Sequence, residues 1–171
     1  MKKIIIIIVL LIIIILNFVY FSNISHNSSS PDNSPPLSSS LTITLYYYSE
    51  KLDKDQSGNI LCSEKGLVAV KRKIQHSDTI LNDTIRLLIK GELSSDEKNR
   101  GITTEFPLPN FEFVDSNLQE NILTLTFQDP QLKTTGGACR VQILQHQIEA
   151  TAKQFGNVSK VIIEPNDLFQ P

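Results

Sequence analysis

The chain has 171 residues, 40% of them apolar and 20% charged, with 16 Lys and Arg set against 18 Asp and Glu. That composition suits one globular domain plus a further segment. A formal net charge of −2 provides no basic field for nucleic acid or anionic lipid to meet, so nucleic acid is not an expected partner.

The further segment comes first. Lys2 and Lys3 precede residues 4–21, IIIIIVLLIIIILNFVYF, an apolar run interrupted only by Asn17. As a helix it would extend roughly 27 Å, close to the hydrocarbon thickness of a bilayer. No small-residue cleavage site follows it, so residues 1–21 are expected to be a single N-terminal transmembrane helix, an uncleaved signal anchor. The lysine pair then stays in the cytoplasm and the rest of the chain lies beyond the cell membrane. Residues 22–40 are rich in Ser, Asn and Pro and too poor in apolar groups to fold, which predicts a flexible linker.

Residues 41–171 form the expected folded body. LTITLYYYS alternates, with Ile43, Leu45 and Tyr47 on one side, and LVAVKRKI does the same through Val68, Val70, Arg72 and Ile74, so both read as strands. Ser77 or Asp78 can cap a helix whose Leu81, Ile85 and Leu88 share one face and which stops at Lys90-Gly91. Residues 92–110, carrying Pro107 and Pro109, read as irregular. FEFVDS and ILTLTF are strands of a hairpin around Asn117 to Asn121, GGACRVQILQHQIEATAKQF is a helix, and VSKVIIEP closes the chain as a strand. The order β-β-α-β-β-α-β predicts an α+β fold, an antiparallel or mixed sheet with two helices packed on one face.

Motifs that could carry chemistry are few. Cys139 and His146 lie two turns apart on the last helix, about 10 Å along its axis, too far for a nucleophile and its base. Val141, Leu144, Ile148, Ala152 and Phe155 cluster on that helix's buried face, which leaves His146 as a structural residue. Gly136-Gly137 lacks the Lys-Ser/Thr pair of a phosphate loop and reads as a tight entry turn. Tyr46 and Tyr48 could line a glycan-binding face or belong to an ordinary strand. The two cysteines, Cys62 and Cys139, fall outside the cytoplasm on this topology, where a disulfide between them is expected. It would close a loop of about 77 residues and contribute up to about 4 kcal/mol in the loop-entropy picture. Two unpaired thiols are the alternative.

The most specific spacing is DKDQSGNILCSE. Asp53, Asp55, Ser57, Asn59 and Glu64 stand at the oxygen-ligand positions of an EF-hand-type loop, with Gly58 at the sharp turn, so Ca2+ is the one cofactor suggested. The loop joins strands rather than helices, however, and the same residues make a polar hairpin tip. Both readings stand. Glu97, Glu105, Glu112 and Asp115 are scattered over loops and a hairpin, so no catalytic residues are assigned and no enzyme is expected. A cell-wall (peptidoglycan) hydrolase using Glu97 or Glu105 is the alternative.

Taken together, several of these residues resemble the GerMN domain, the sporulation and spore germination domain of bacterial envelope proteins. They are Leu45-Tyr46, the strand with Val68, Val70, Arg72 and Ile74, and Leu87 to Gly91 with Glu97 after it. The strand pair at 111–127 and the segment Gly137, Arg140, Val141, Gln147, Ile148, Thr151, Gln154, Phe155, Val158 and Val161 extend the resemblance. Gly91-Glu92-Leu93 departs from the family's Gly-Pro-Thr, and Asn121 to Leu125 lacks its acidic residue. The resemblance implies a binding or scaffolding module outside the membrane, similar in fold to ring-building domains of secretion-type complexes, with no enzymatic activity. The expected partners are an envelope protein or peptidoglycan, met through a sheet edge or residues 92–110, or further copies of itself, stacked through a helix and the opposite sheet face.

Overall fold

The computed structural model describes residues 40–171. The expected anchor, residues 1–21, and the expected linker up to residue 39 lie outside the described residues. Among the described residues no helix is long and apolar enough to cross a membrane.

The first strand, β1 (Ser40–Tyr48), starts one residue before the expected boundary and pairs antiparallel with β2 (Leu67–Gln75), Leu45 opposite Val70. Its alternation buries Ile43, Leu45 and Tyr47, as the period-2 pattern requires; Tyr48 is also buried, its ring covered by Gly66 and its hydroxyl bonded to Asp53. Helix α1 (Ile80–Ile89) follows, with Ile85 and Leu88 in the core. Thr79, rather than Ser77 or Asp78, holds the N-cap position, and Asp83 reaches back to accept from both Ser77 and Thr79 hydroxyls. Gly91 ends this turn at φ +65, and a Cβ there would collide with the Phe106 carbonyl, so only glycine fits.

The segment expected to be irregular contains a short helix, α2 (Ser95–Asn99), closed by a capping box between Ser94 and Glu97. Beyond it, Ile102, Phe106 and Leu108 are buried and pin the segment to the core, while most of the residues between them are exposed. β3 (Glu112–Gln119) and β4 (Ile122–Gln128) form the expected hairpin. Its turn is only Glu120-Asn121, both at positive φ, shorter than the sequence suggested. Helix α3 (Ala138–Lys153) leads to β5 (Lys160–Glu164), which lies parallel to β4.

The fold class is α+β, with the strands divided between two sheets: β1-β2, and β3-β4-β5. A single continuous sheet does not form, and β1 itself explains why. Its outer edge is already filled. Gln154 accepts from the Thr44 amide and donates to the Thr44 carbonyl, Thr151 Oγ1 accepts from the Tyr46 amide, and Tyr48 exchanges both backbone bonds with Thr103. Helix side chains thus satisfy backbone groups that a neighbouring strand would otherwise take. α1 packs against α3, β1 and β3, and α3 against β1 and β5, so the helices bridge the two sheets.

Candidate functional site

The loop between β1 and β2 carries the calcium-like spacing, and its Asp53 and Asp55 turn inward or onto their own turn. Asp53 is fully buried, accepting from the Tyr48 hydroxyl at 2.6 Å, the Ser63 amide at 2.7 Å and the Ser63 hydroxyl. Burial alone would raise its pKa, but the Ser63 and Tyr48 hydrogen bonds outweigh it and hold the carboxyl below its usual range. Burial, reinforced by Asp53, pushes the Tyr48 phenol up. Gly66 lies against the Tyr48 ring, leaving no room for a side chain.

Asp55 accepts from the Ser57 and Asn59 amides, each at 2.8 Å, and from Asn59 Nδ2 at 3.0 Å, so it caps a local turn. The Asn59 hydrogen bonds lower its pKa. Glu64 is exposed, its Oε1 3.7 Å from His146 Nδ1. Among the described residues no three His, Cys, Asp or Glu side chains converge as a metal site. Asp53, Asp55, Ser57, Asn59 and Glu64 therefore do not make a coordination shell: the residue types suited to calcium also suit a hydrogen-bonded hairpin tip, and that is the use made of them.

Cys62 and Cys139 are joined in a disulfide, with Cα atoms 5.2 Å apart across a sequence separation of 77. It staples the β1–β2 loop to the first turn of α3. Arg140, the next residue, binds Glu105 and donates to the carbonyls of Lys133 and Thr135, so the same turn is fixed from a second side. The Gly136 amide donates to the Gln170 carbonyl, and both glycines have positive φ, which is the geometry of a tight helix entry.

Several residues that carried the family resemblance prove to hold the fold together. Arg72 on β2 grips Glu97 on α2 through two hydrogen bonds, 2.7 and 2.8 Å long, and donates to the Glu92 carbonyl. Arg72 and the Ser94 amide together lower the Glu97 pKa from 4.5 to about 2. With its proton so firmly excluded and both oxygens occupied, Glu97 is unsuited to be a general acid at neutral pH. Glu105 is paired with Arg140. Tyr47 lies in the core with its hydroxyl unpartnered, and burial raises its pKa to about 12. With Tyr48 buried, Tyr46 and Tyr48 do not form the aromatic binding face that was one reading of the tyrosine run.

A cleft that no sequence pattern announces lies beside this stapled region. It has a volume of about 270 Å³ and lies between α3, through Ile143, Leu144 and Gln147, and the paired segments that carry Tyr48, Glu50 and Thr104. Gln147 is fully buried, and its Nε2 has no acceptor. An unmet buried donor costs about 1–3 kcal/mol. Periodicity could not single out Gln147, because a polar residue on the apolar stripe of a helix shows its purpose only once its neighbours are known.

Comparison with known proteins bears on identity. The family model described as "Germane: Sporulation and spore germination" matches residues 44–167. The chain belongs to this family. Its fold is similar to the solved structure of the tandem GerMN domains of the sporulation protein GerM from Bacillus subtilis, with a TM-score of 0.54 at 17% identity. The match covers 78% of this chain and 43% of that one, and at such identity the likeness is one of fold. No curated protein sequence matches the chain. In this Germane-family chain the departures at Glu92-Leu93 and Asn121 to Leu125 leave the fold intact. Leu123 and Leu125 are fully buried on the central strand of the larger sheet.

Proposed function

We propose that this Germane-family chain is a membrane-anchored module on the outer side of the cell membrane of a bacterium, working by binding and scaffolding rather than catalysis. The observation that carries the reading is the Cys62–Cys139 disulfide, a bond that persists in oxidising compartments and is rare in the cytosol. It agrees with the orientation expected from Lys2 and Lys3 ahead of the apolar run 4–21. The carboxylates a hydrolase would recruit are committed elsewhere: Glu97 to Arg72, and Glu105 to Arg140.

Binding surface is available on the stapled loop, where Leu52, Ile60 and Leu61 are exposed on a frame held by the disulfide and the buried Asp53. Rigid, partly apolar loops of this kind present contact area at little ordering cost. Its partner on this reading is an envelope protein or the cell-wall polymer. The test is to incubate the detergent-solubilised full chain with insoluble peptidoglycan and, separately, with solubilised membranes. Retention on the wall, or recovery of one envelope protein that is lost in Ile60→Asp with Leu61→Asp, is expected. An inert chain in both arms, or one that degrades peptidoglycan, would contradict the reading.

A further inference from the structure

The outer edge of β2 is open. In an extended strand each residue sends its N–H and C=O to one side, and the side alternates along the chain. Thr44, Tyr46 and Tyr48 turn theirs outward, to Gln154, Thr151 and Thr103, so Ile43, Leu45 and Tyr47 turn theirs toward β2. Their partners Arg72, Val70 and Val68 face back. The residues between and beside them, Leu67, Ala69, Lys71, Lys73 and Gln75, therefore aim amide and carbonyl away from β1. Among the described residues no other segment pairs with these five through its backbone, and the Lys71 carbonyl is met only by the neighbouring Arg72 guanidinium.

Other edges are protected. β3 is bulged between Phe113 and Asp115, Arg86 of α1 reaches the carbonyls of Phe113 and Val114, and β5 has only five residues. β2 instead runs nine residues in unbroken register with β1, a template for a further strand. Its side chains select what can pair there. Lys71 and Lys73 are exposed on the solvent face, and among the described residues neither lies in an ion pair, in a chain whose net charge is −2. Toward the other face, past the grip of Arg72 on Glu97, a cleft of about 420 Å³ lies between Ile74 and Gln75 of β2 and Leu87 and Lys90 of α1. No β1 residue lines it, so it belongs to the open side of β2.

We propose that the β2 edge takes an extended segment of a partner protein as a third strand, one that alternates acidic and apolar residues. Its main chain bonds to Ala69, Lys71 and Lys73, its carboxylates lie beside the two lysines, and an apolar side chain one residue further on meets the cleft beside Ile74. A second copy of β2 fits poorly, because antiparallel pairing of identical edges sets one Lys71-Arg72-Lys73 run against the other. Residues 22–39 of the same chain are unsuited by sequence, with Pro31, Pro35 and Pro36 lacking donors and Asp32 as the only acid. A wall glycan has no row of amides and carbonyls to match the ladder. The proposal deepens the envelope-protein branch of the proposed function and rests on that reading for the source of the strand.

The test is a titration of the 15N-labelled full chain in detergent with a synthetic peptide of four Glu-Ile repeats, following backbone amide resonances. One comparison peptide carries Lys in place of Glu, and another keeps Glu but is N-methylated throughout, which removes its ladder donors. A saturable shift of the Ala69, Lys71 and Lys73 amides with the acidic, unmethylated peptide alone is expected, with slower hydrogen exchange at the same three. Lys71→Glu with Lys73→Glu, both at exposed positions, should weaken binding about tenfold without altering the fold. No saturable shift, equal binding of either comparison peptide, or shifts centred on Ile60 and Leu61 instead would overturn the assignment. If the double reversal fails to fold, the three peptides on the unmodified chain still decide it. Failure here with an envelope protein still captured overturns the edge and leaves the scaffold reading standing. Peptide binding by a chain inert toward both wall and membranes would keep the edge and overturn that reading.

Discussion

The two ends of this fold are held differently. Around β3, β4 and β5 the work is done by rings and branched chains: Phe111 stacks on Phe127 with centroids 4.9 Å apart, Phe113 meets Phe127 edge-on, and Phe169 closes over Phe111. Around β1 and β2 the same apolar core continues through Ile43, Leu45, Tyr47 and Val70, and polar and covalent links are added to it: the buried Asp53, the Arg72–Glu97 pair, the Gln154 amide on Thr44 and the disulfide. Apolar packing is non-directional and tolerates small shifts, whereas the polar links fix geometry. The open β2 edge and the exposed apolar loop both belong to the polar end. Rigid positioning is concentrated where contact with a partner is proposed.

Substitutions should divide along the same line. The largest loss is expected at the aromatic end, where Phe127→Ala empties a site 1% exposed and should cost about 3–5 kcal/mol in denaturant unfolding. Next comes the staple. Cys62→Ala with Cys139→Ala should cost about 2–4 kcal/mol, read by the same method, while leaving the aromatic near-ultraviolet signal in place. An equal loss of that signal would show that the two ends do not differ as described.

The Arg72–Glu97 pair gives a pH signature. The Glu97 pKa is depressed on folding, from 4.5 to about 2, so its stabilisation is complete above pH 4.5 and is lost as pH falls through that window. Roughly 2–3 kcal/mol should disappear between pH 6 and pH 2 and be missing at all pH values in Glu97→Gln. An unchanged pH slope in that variant would remove the pair from the account. The smallest effect is expected for calcium. Because Asp53 and Asp55 already spend their oxygens on Tyr48, Ser63, Ser57 and Asn59, millimolar Ca2+ should leave the melting temperature unchanged. A rise abolished by Asp53→Ala with Glu64→Ala would restore the metal reading.

What could be read from the sequence follows the same division. The alternation of Ile43, Leu45 and Tyr47 and the stripe Val141, Leu144, Ile148 and Ala152 announced their elements, because burial of apolar groups has a period. The second sheet did not announce itself. It depends on Thr103, Thr151 and Gln154 occupying the edge of β1, and polar partners so distant in sequence leave no periodic trace. Helix α2 was legible in principle, since Ser94 followed by Glu97 is a capping box, but its five residues were too short for an amphipathic pattern. The loop 53–64 left two readings open for a particular reason. Aspartates, serine, glycine and asparagine at those spacings serve a cation or a turn equally well, and only the buried Tyr48–Asp53–Ser63 contact separates the two. Leu168 and Phe169 contribute to the core without any pattern before them, carried there by the backbone after Pro165.

The most direct test of the central claim is the state of the two cysteines in intact cells expressing the full chain. Thiols are trapped with a membrane-impermeant maleimide before and after an impermeant reductant, and the number of labels is read by mass. No label before reduction and two labels after it, at Cys62 and Cys139, is the result the account predicts. Labels gained only once the cells are lysed, without any reductant, would place the domain in the cytoplasm and contradict it.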